Sequence, residues 1–177
     1  MAGFTFYYDF GSPSGWLAAE QVVEELGSVP EFVPVSLAGL PAGQVGPFRC
    51  EAEIDAHFED LARRASAHGL LALRRPPVFP ADTQRALLAA TYARQIGKVV
   101  AFSLALLRQV FNAGRDLEDE DTILLAGAAA EIHPAALVKG AALRSTAQRL
   151  EAATREAAAA GVLDLPAVAR EQEVRYL

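Results

Sequence analysis

An aromatic strand that runs straight into a serine-proline turn and a helix is the feature that most constrains this chain. Phe4-Thr5-Phe6-Tyr7-Tyr8-Asp9-Phe10 puts Phe4, Phe6, Tyr8 and Phe10 on one strand face, a setting that aromatic residues favour. Gly11 begins the turn. Ser12 is placed as a helix N-cap, and Pro13 falls at the first helical position, where its missing N–H costs nothing. Trp16, Ala19, Val23 and Leu26 follow at helical spacing and predict the buried side of that helix. A hydroxyl held at the positive end of a helix can steady an anion, so Ser12 is the first candidate functional residue.

Gly27-Ser28-Val29-Pro30 stops the helix, and Glu31–Leu37 reads as a second strand buried on both faces. Two strands joined through a helix predict a right-handed parallel β-α-β unit. Residues 38–50, punctuated by Gly39, Pro41, Gly43, Gly46 and Pro47, predict a loop at a strand end, where ligand contacts gather.

From Glu51 to Gly161 the pattern is helical. Ile54, Phe58, Leu61, Ala62 and Ala65 form one apolar stripe, ended by His68-Gly69. Prolines keep residues 74–80 extended. Asp82 is placed to cap a helix with Leu87, Ala90 and Ile96 inward. A helix over 99–113 closes at Gly114, and acidic residues 118–121 open another. His133-Pro134 breaks that one, and a single long alanine-rich helix is expected to run on to Gly161. Residues 165–170 and 173–177 read as two short strands joined at Glu171-Gln172. The order β-α-β, helical block, β-β predicts one α/β domain, with a frame of 1–50 and 162–177 and an insertion of 51–161.

Composition narrows the function. The 177 residues carry a net charge of −6, whereas phosphate binding needs a basic surface, so nucleic acid and anionic membranes are excluded as partners. Residues 1–10 lack a charged, apolar leader pattern, and no apolar run is long enough to span a bilayer, which predicts a cytoplasmic protein. Cys50 is the only cysteine; it rules out a C-x-x-C pair and predicts a small buried hydrophobe. His57, His68 and His133 show no metal-ligand spacing, so no metal is expected.

The frame with its helical insertion is the thioredoxin-like arrangement, and particular residues resemble one branch of it. Phe6-Tyr7-Tyr8-Asp9-Phe10-Gly11-Ser12-Pro13-x-x-Trp16-Leu17-Ala18 resembles the DsbA-like branch containing 2-hydroxychromene-2-carboxylate isomerase and kappa-class glutathione transferase. Pro77-Val78-Phe79-Pro80, Tyr92-Ala93-Arg94-Gln95, Val110-Phe111-Asn112 and Gly114-Arg115-Asp116-Leu117 extend the match, and 157–166 resembles the approach to the family's cis-proline.

The resemblance implies that Ser12 replaces the reactive cysteine of DsbA-like oxidoreductases. A serine hydroxyl forms no disulfide, but it can donate a hydrogen bond to a thiolate brought by a ligand. The implied cofactor is glutathione, held by Ser12 and Pro13 and by the backbone at Leu165-Pro166. The implied activity is isomerisation of a small aromatic or conjugated carboxylate, with conjugation by a kappa-type transferase as the next choice. Asp9, Trp16 and Asn112 are the implied cleft residues, although Trp16 also fits the core and Asn112 a surface amide. A homodimer is implied as well. The sequence departs from the family at Ser14, where a tyrosine is usual, and in 38–50, which lacks the usual lysine and asparagine. The family's closing Trp-Gly-x-Asp-Arg stretch does not occur before Leu177. These departures leave a second expectation, a redox-silent DsbA-like domain that binds a small molecule or peptide without catalysis.

Overall fold

The computed structural model describes residues 3–44, 47–171 and 173–177. Strand β1 (Thr5–Tyr8), helix α1 (Pro13–Leu26) and strand β2 (Glu31–Pro34) form the expected parallel unit, followed by a 3-10 turn at Leu37–Gly39. Six helices come next: α2 (Glu51–Ala67), α3 (Gln84–Gln95), α4 (Val99–Phe111), α5 (Glu120–Ala129), α6 (Pro134–Ala141) and α7 (Arg144–Ala159). Strands β3 (Ala167–Arg170) and β4 (Glu173–Tyr176) close a mixed sheet of order β2-β1-β3-β4. β1 is antiparallel to β3, and β3 to β4.

Side-chain alternation along β1 builds both layers. Phe6 and Tyr8 lie on one face with Phe32 and Val168, which are their register neighbours or close to them. Their rings pack at 5.0 Å edge-on for Phe6–Phe32 and 5.3 Å stacked for Phe6–Tyr8, geometries that the aromatic quadrupole favours. The helical insertion completes this core through α2, α3, α4 and α5. The Tyr8 hydroxyl and Ser103 Oγ lie 2.5 Å apart, tying β1 to α4. On the opposite face, Val33, Val35 and Ala167 pack with Ala153 and Ala157 of α7.

The structure corrects several expectations. Val22, not Val23, is the inward valine of α1; Val23 is 36% exposed. β1 and β2 end earlier than predicted, at Tyr8 and Pro34, although Val35 N–H still reaches Tyr8 C=O at 3.0 Å. Ile96 faces solvent because it caps the C-terminus of α3 rather than continuing its inner stripe. The long alanine-rich helix is two helices. Leu143 turns extended, and Thr146 spends its hydroxyl on Gly140 C=O at 2.7 Å, so the chain changes direction between α6 and α7. Cys50 is exposed at the N-cap of α2 rather than buried. At the β3–β4 joint Glu171 takes a positive φ of 56°, while Gln172 lies outside the described residues. Val45 and Gly46 of the 38–50 loop also lie outside them.

Candidate functional site

Three chain segments converge on Asp9, buried just past the end of β1. Its Oδ1 accepts the N–H groups of Phe10 at 2.6 Å and Gly11 at 3.3 Å, and its Oδ2 accepts that of Leu37 at 2.9 Å. The Thr83 hydroxyl is a further partner. One side chain thus joins the Ser12 turn to the turn after β2 and to the start of α3. Burial pushes the Asp9 carboxyl above the usual carboxylate range, and the hydrogen bonds from Leu37, Thr83, Phe10 and Gly11 oppose that shift.

Beside this junction Ser12 caps α1. Its backbone is extended (φ −124°, ψ 128°), and its Oγ accepts the Ser14 N–H at 3.2 Å. A hydroxyl used this way still has its own hydrogen to donate. The same α1 N-terminus adds partial positive charge.

A cavity of about 520 Å³ opens in front of the cap. Asp9, Ser12, Pro13 and Leu165 line it, so the structure brings together four of the predicted site residues. Pro166 is buried and is not among the lining residues; the Leu165-Pro166 bond is cis, as is Phe79-Pro80. Two other candidates lie elsewhere. Trp16 is only 1% exposed and belongs to the core, because its helix face turns toward the sheet and α4. Asn112 is not in the cavity wall; its amide donates to the carbonyls of Leu71 and Ala72 at 3.4 and 3.1 Å, fastening the segment that follows α2.

Three aromatic residues of the cavity wall carry no site signal in the sequence. Phe48, His57 and Phe79 line the cavity, arriving from the 38–50 loop, α2 and the segment before α3. Phe79 belongs to the Pro77-Val78-Phe79-Pro80 segment, whereas His57 shows no signal beyond being a histidine on a helix. Asp164 is also in the wall, and its Oδ1 accepts the Leu165 N–H at 2.8 Å. No lysine or arginine is found among the described lining residues. Cys50 lies outside the wall, and Arg75 is engaged by Glu51 and Asp55 rather than facing a ligand. Among the described residues no cluster of histidine, cysteine and carboxylate side chains could hold a metal ion, and no single helix is long and apolar enough to cross a membrane.

Ser12 at the N-terminus of α1 and Leu165 before a cis-proline thus line one cavity, the pairing that the resemblance to DsbA-like proteins implied. The family model for the DSBA-like thioredoxin domain matches residues 4–174, and the chain belongs to that family. Comparison with curated proteins by sequence gives no match. Among solved structures, the fold is similar to a 2-hydroxychromene-2-carboxylate isomerase, with a TM-score of 0.84 and 20% identity over 98% of this chain and 87% of that one. A probable DsbA oxidoreductase from Streptomyces coelicolor aligns with a TM-score of 0.75 and 16% identity, over 99% and 83% of the two chains. The cytosolic disulfide reductase DsbM from Pseudomonas aeruginosa, solved with GSH, gives 0.63 and 16%, over 98% and 88%. At these identities the similarity establishes the fold.

The residues present fit glutathione in part. Ser12 and Leu165 share one cavity of adequate size, which suits a thiol and the peptide-like backbone that carries it. The Leu165 N–H, however, is already taken by Asp164.

Proposed function

We propose that this protein is a glutathione-dependent isomerase of the 2-hydroxychromene-2-carboxylate isomerase type, acting on a small aromatic or conjugated substrate. The observation that carries the proposal is Ser12, a hydroxyl at the N-terminus of α1 that lines the same cavity as Leu165 of the cis-proline segment. Bound glutathione would supply a thiolate able to add to a conjugated double bond and leave again. Ser12 donates its hydroxyl hydrogen to an anionic sulfur, and the helix end lowers the energy of that charge. Asp9 holds the turn that presents Ser12, and Phe48 and Phe79 line the same cavity.

The test is calorimetric titration of glutathione into the wild-type protein and into Ser12→Ala, with ultraviolet absorbance of the thiolate recorded in parallel. Binding with a thiolate signal that Ser12→Ala abolishes is the expected result. Absence of binding at millimolar glutathione overturns the proposal.

A second function is favoured by one observation. The hydrogen bond from Leu165 N–H to Asp164, in a wall without lysine or arginine, suits a redox-silent domain that binds an uncharged small molecule. That protein would bind ligands in the cavity with no glutathione at all.

A further inference from the structure

Phe48, His57, Phe58 and Phe79 form one ring cluster at the cavity. Phe48 lies 5.2 Å from His57 and 5.8 Å from Phe79, both tilted. Phe58 backs the group, edge-on to Phe79 at 5.0 Å and to His57 at 6.4 Å. Phe58 is buried, whereas Phe48, His57 and Phe79 are half-buried and line the cavity. A planar apolar ligand finds ring faces and edges here, and a single polar group among them.

We infer that this lobe binds an uncharged, planar conjugated carbonyl compound, its ring against Phe48 and Phe79 and its carbonyl oxygen accepting a hydrogen bond from the His57 imidazole.

Three observations converge on that chemistry. The imidazole forms no hydrogen bond among the described residues. Burial holds it below its ordinary pKa of 6.5 and Arg64 lowers it further, against an opposing effect of Asp60, so it is a neutral donor at physiological pH. The charged groups elsewhere in the wall are Asp9 and Asp164, with no lysine or arginine to receive a carboxylate. An anionic substrate therefore meets two carboxyl groups and a neutral imidazole, whereas a ketone or aldehyde oxygen meets a matched donor. When a conjugated system accepts a nucleophile's electron pair, charge reaches that oxygen and the imidazole N–H holds it. The pair returns as the nucleophile leaves, so no oxidant or reductant is consumed. The inference rests on the proposed isomerase for its chemistry, but the binding lobe stands without the thiol.

The test uses 4-dimethylaminobenzylideneacetone, an uncharged enone whose absorbance shifts to the red when its carbonyl accepts a hydrogen bond. It is titrated into the thiol-free full chain, followed by absorbance and equilibrium dialysis. Wild type is expected to bind it with a red shift. His57→Phe should lose the shift and bind about tenfold more weakly, while His57→Gln, which keeps a donor, retains part of it. Phe48→Ala and Phe79→Ala should each weaken binding about tenfold, with circular dichroism confirming that each variant is folded. The matching 4-dimethylaminocinnamate should bind at least about tenfold more weakly than the ketone. Failure of wild type to bind the enone, a red shift that survives His57→Phe, or a cinnamate that binds as tightly as the ketone overturns the inference. A His57-dependent shift in a protein that fails to bind glutathione would uphold the lobe and remove only the thiol chemistry.

Discussion

Asp9 does more for the site than its position at a strand end suggests. As a carboxylate it offers acceptors on both oxygens, and at least three backbone N–H groups use them. Asp9→Asn replaces one acceptor with an N–H₂ that faces a buried donor. We expect it to lower stability by about 1–3 kcal/mol, the cost of stranding a buried backbone N–H, measured by urea unfolding. Ser12→Ala removes a cap and should cost about 1 kcal/mol in the same assay. The larger loss from Asp9→Asn would mark it as the junction of three segments and Ser12 as a local cap with a ligand-facing hydroxyl. The role of Ser12 as a cap was legible because N-capping depends on neighbours two residues away. The partners of Asp9 were not, since Leu37 and Thr83 lie 28 and 74 positions along the chain. His57 was illegible for the same reason: its aromatic partner Phe48 and the rest of its cavity come from other segments.

At the scale of elements, periodicity located the helical stretches of the insertion, but not the break between α6 and α7 or how the helices meet. Gly140 in α6 shows the difference. A Cβ built there falls 2.2 Å from Tyr92 Cδ2 and 2.6 Å from Tyr92 Cγ, so α6 approaches α3 closely because residue 140 has no side chain. Gly140→Ala should force the Tyr92 ring or α6 itself to shift and lower the thermal midpoint, at a cost of about 1–3 kcal/mol. An unchanged midpoint would show that the Tyr92 ring moves freely. In an isolated helix the same change would be stabilising, because alanine is the better helix former. Tertiary contact decides the sign. The division between α6 and α7 has the same origin. The alanine-rich run favours continuous helix locally, yet Thr146 caps Gly140 C=O and Leu143 turns extended to place α7 on the sheet.

For the whole molecule, the buried Asp9 and the half-buried His57 set opposing pH dependences. The His57 pKa in the folded state lies below its ordinary 6.5, so protons prefer the unfolded chain and stability falls as pH drops through 6.5 toward the lower folded value. The folded Asp9 carboxyl titrates above its ordinary 3.8, so its contribution is complete below 3.8 and is lost as pH rises through the folded value. Urea midpoints measured across this range should show the acid-side loss flattened in His57→Gln and the alkaline-side loss flattened in Asp9→Asn. What local physics controls could be read along the chain: the strand-turn-helix start, the parallel unit, the helical block and the serine at a helix N-terminus. Each rests on periodicity, proline and glycine stereochemistry, or capping within a few residues. Which residues share the cavity depends on long-range packing. It put Trp16 in the core and Asn112 at the C-terminal cap of α4, bonded to the segment after α2, and it set His57, Phe48 and Phe79 in the same cavity wall as Ser12. A cavity is bounded by segments far apart in the chain, and their packing has no short-range signature.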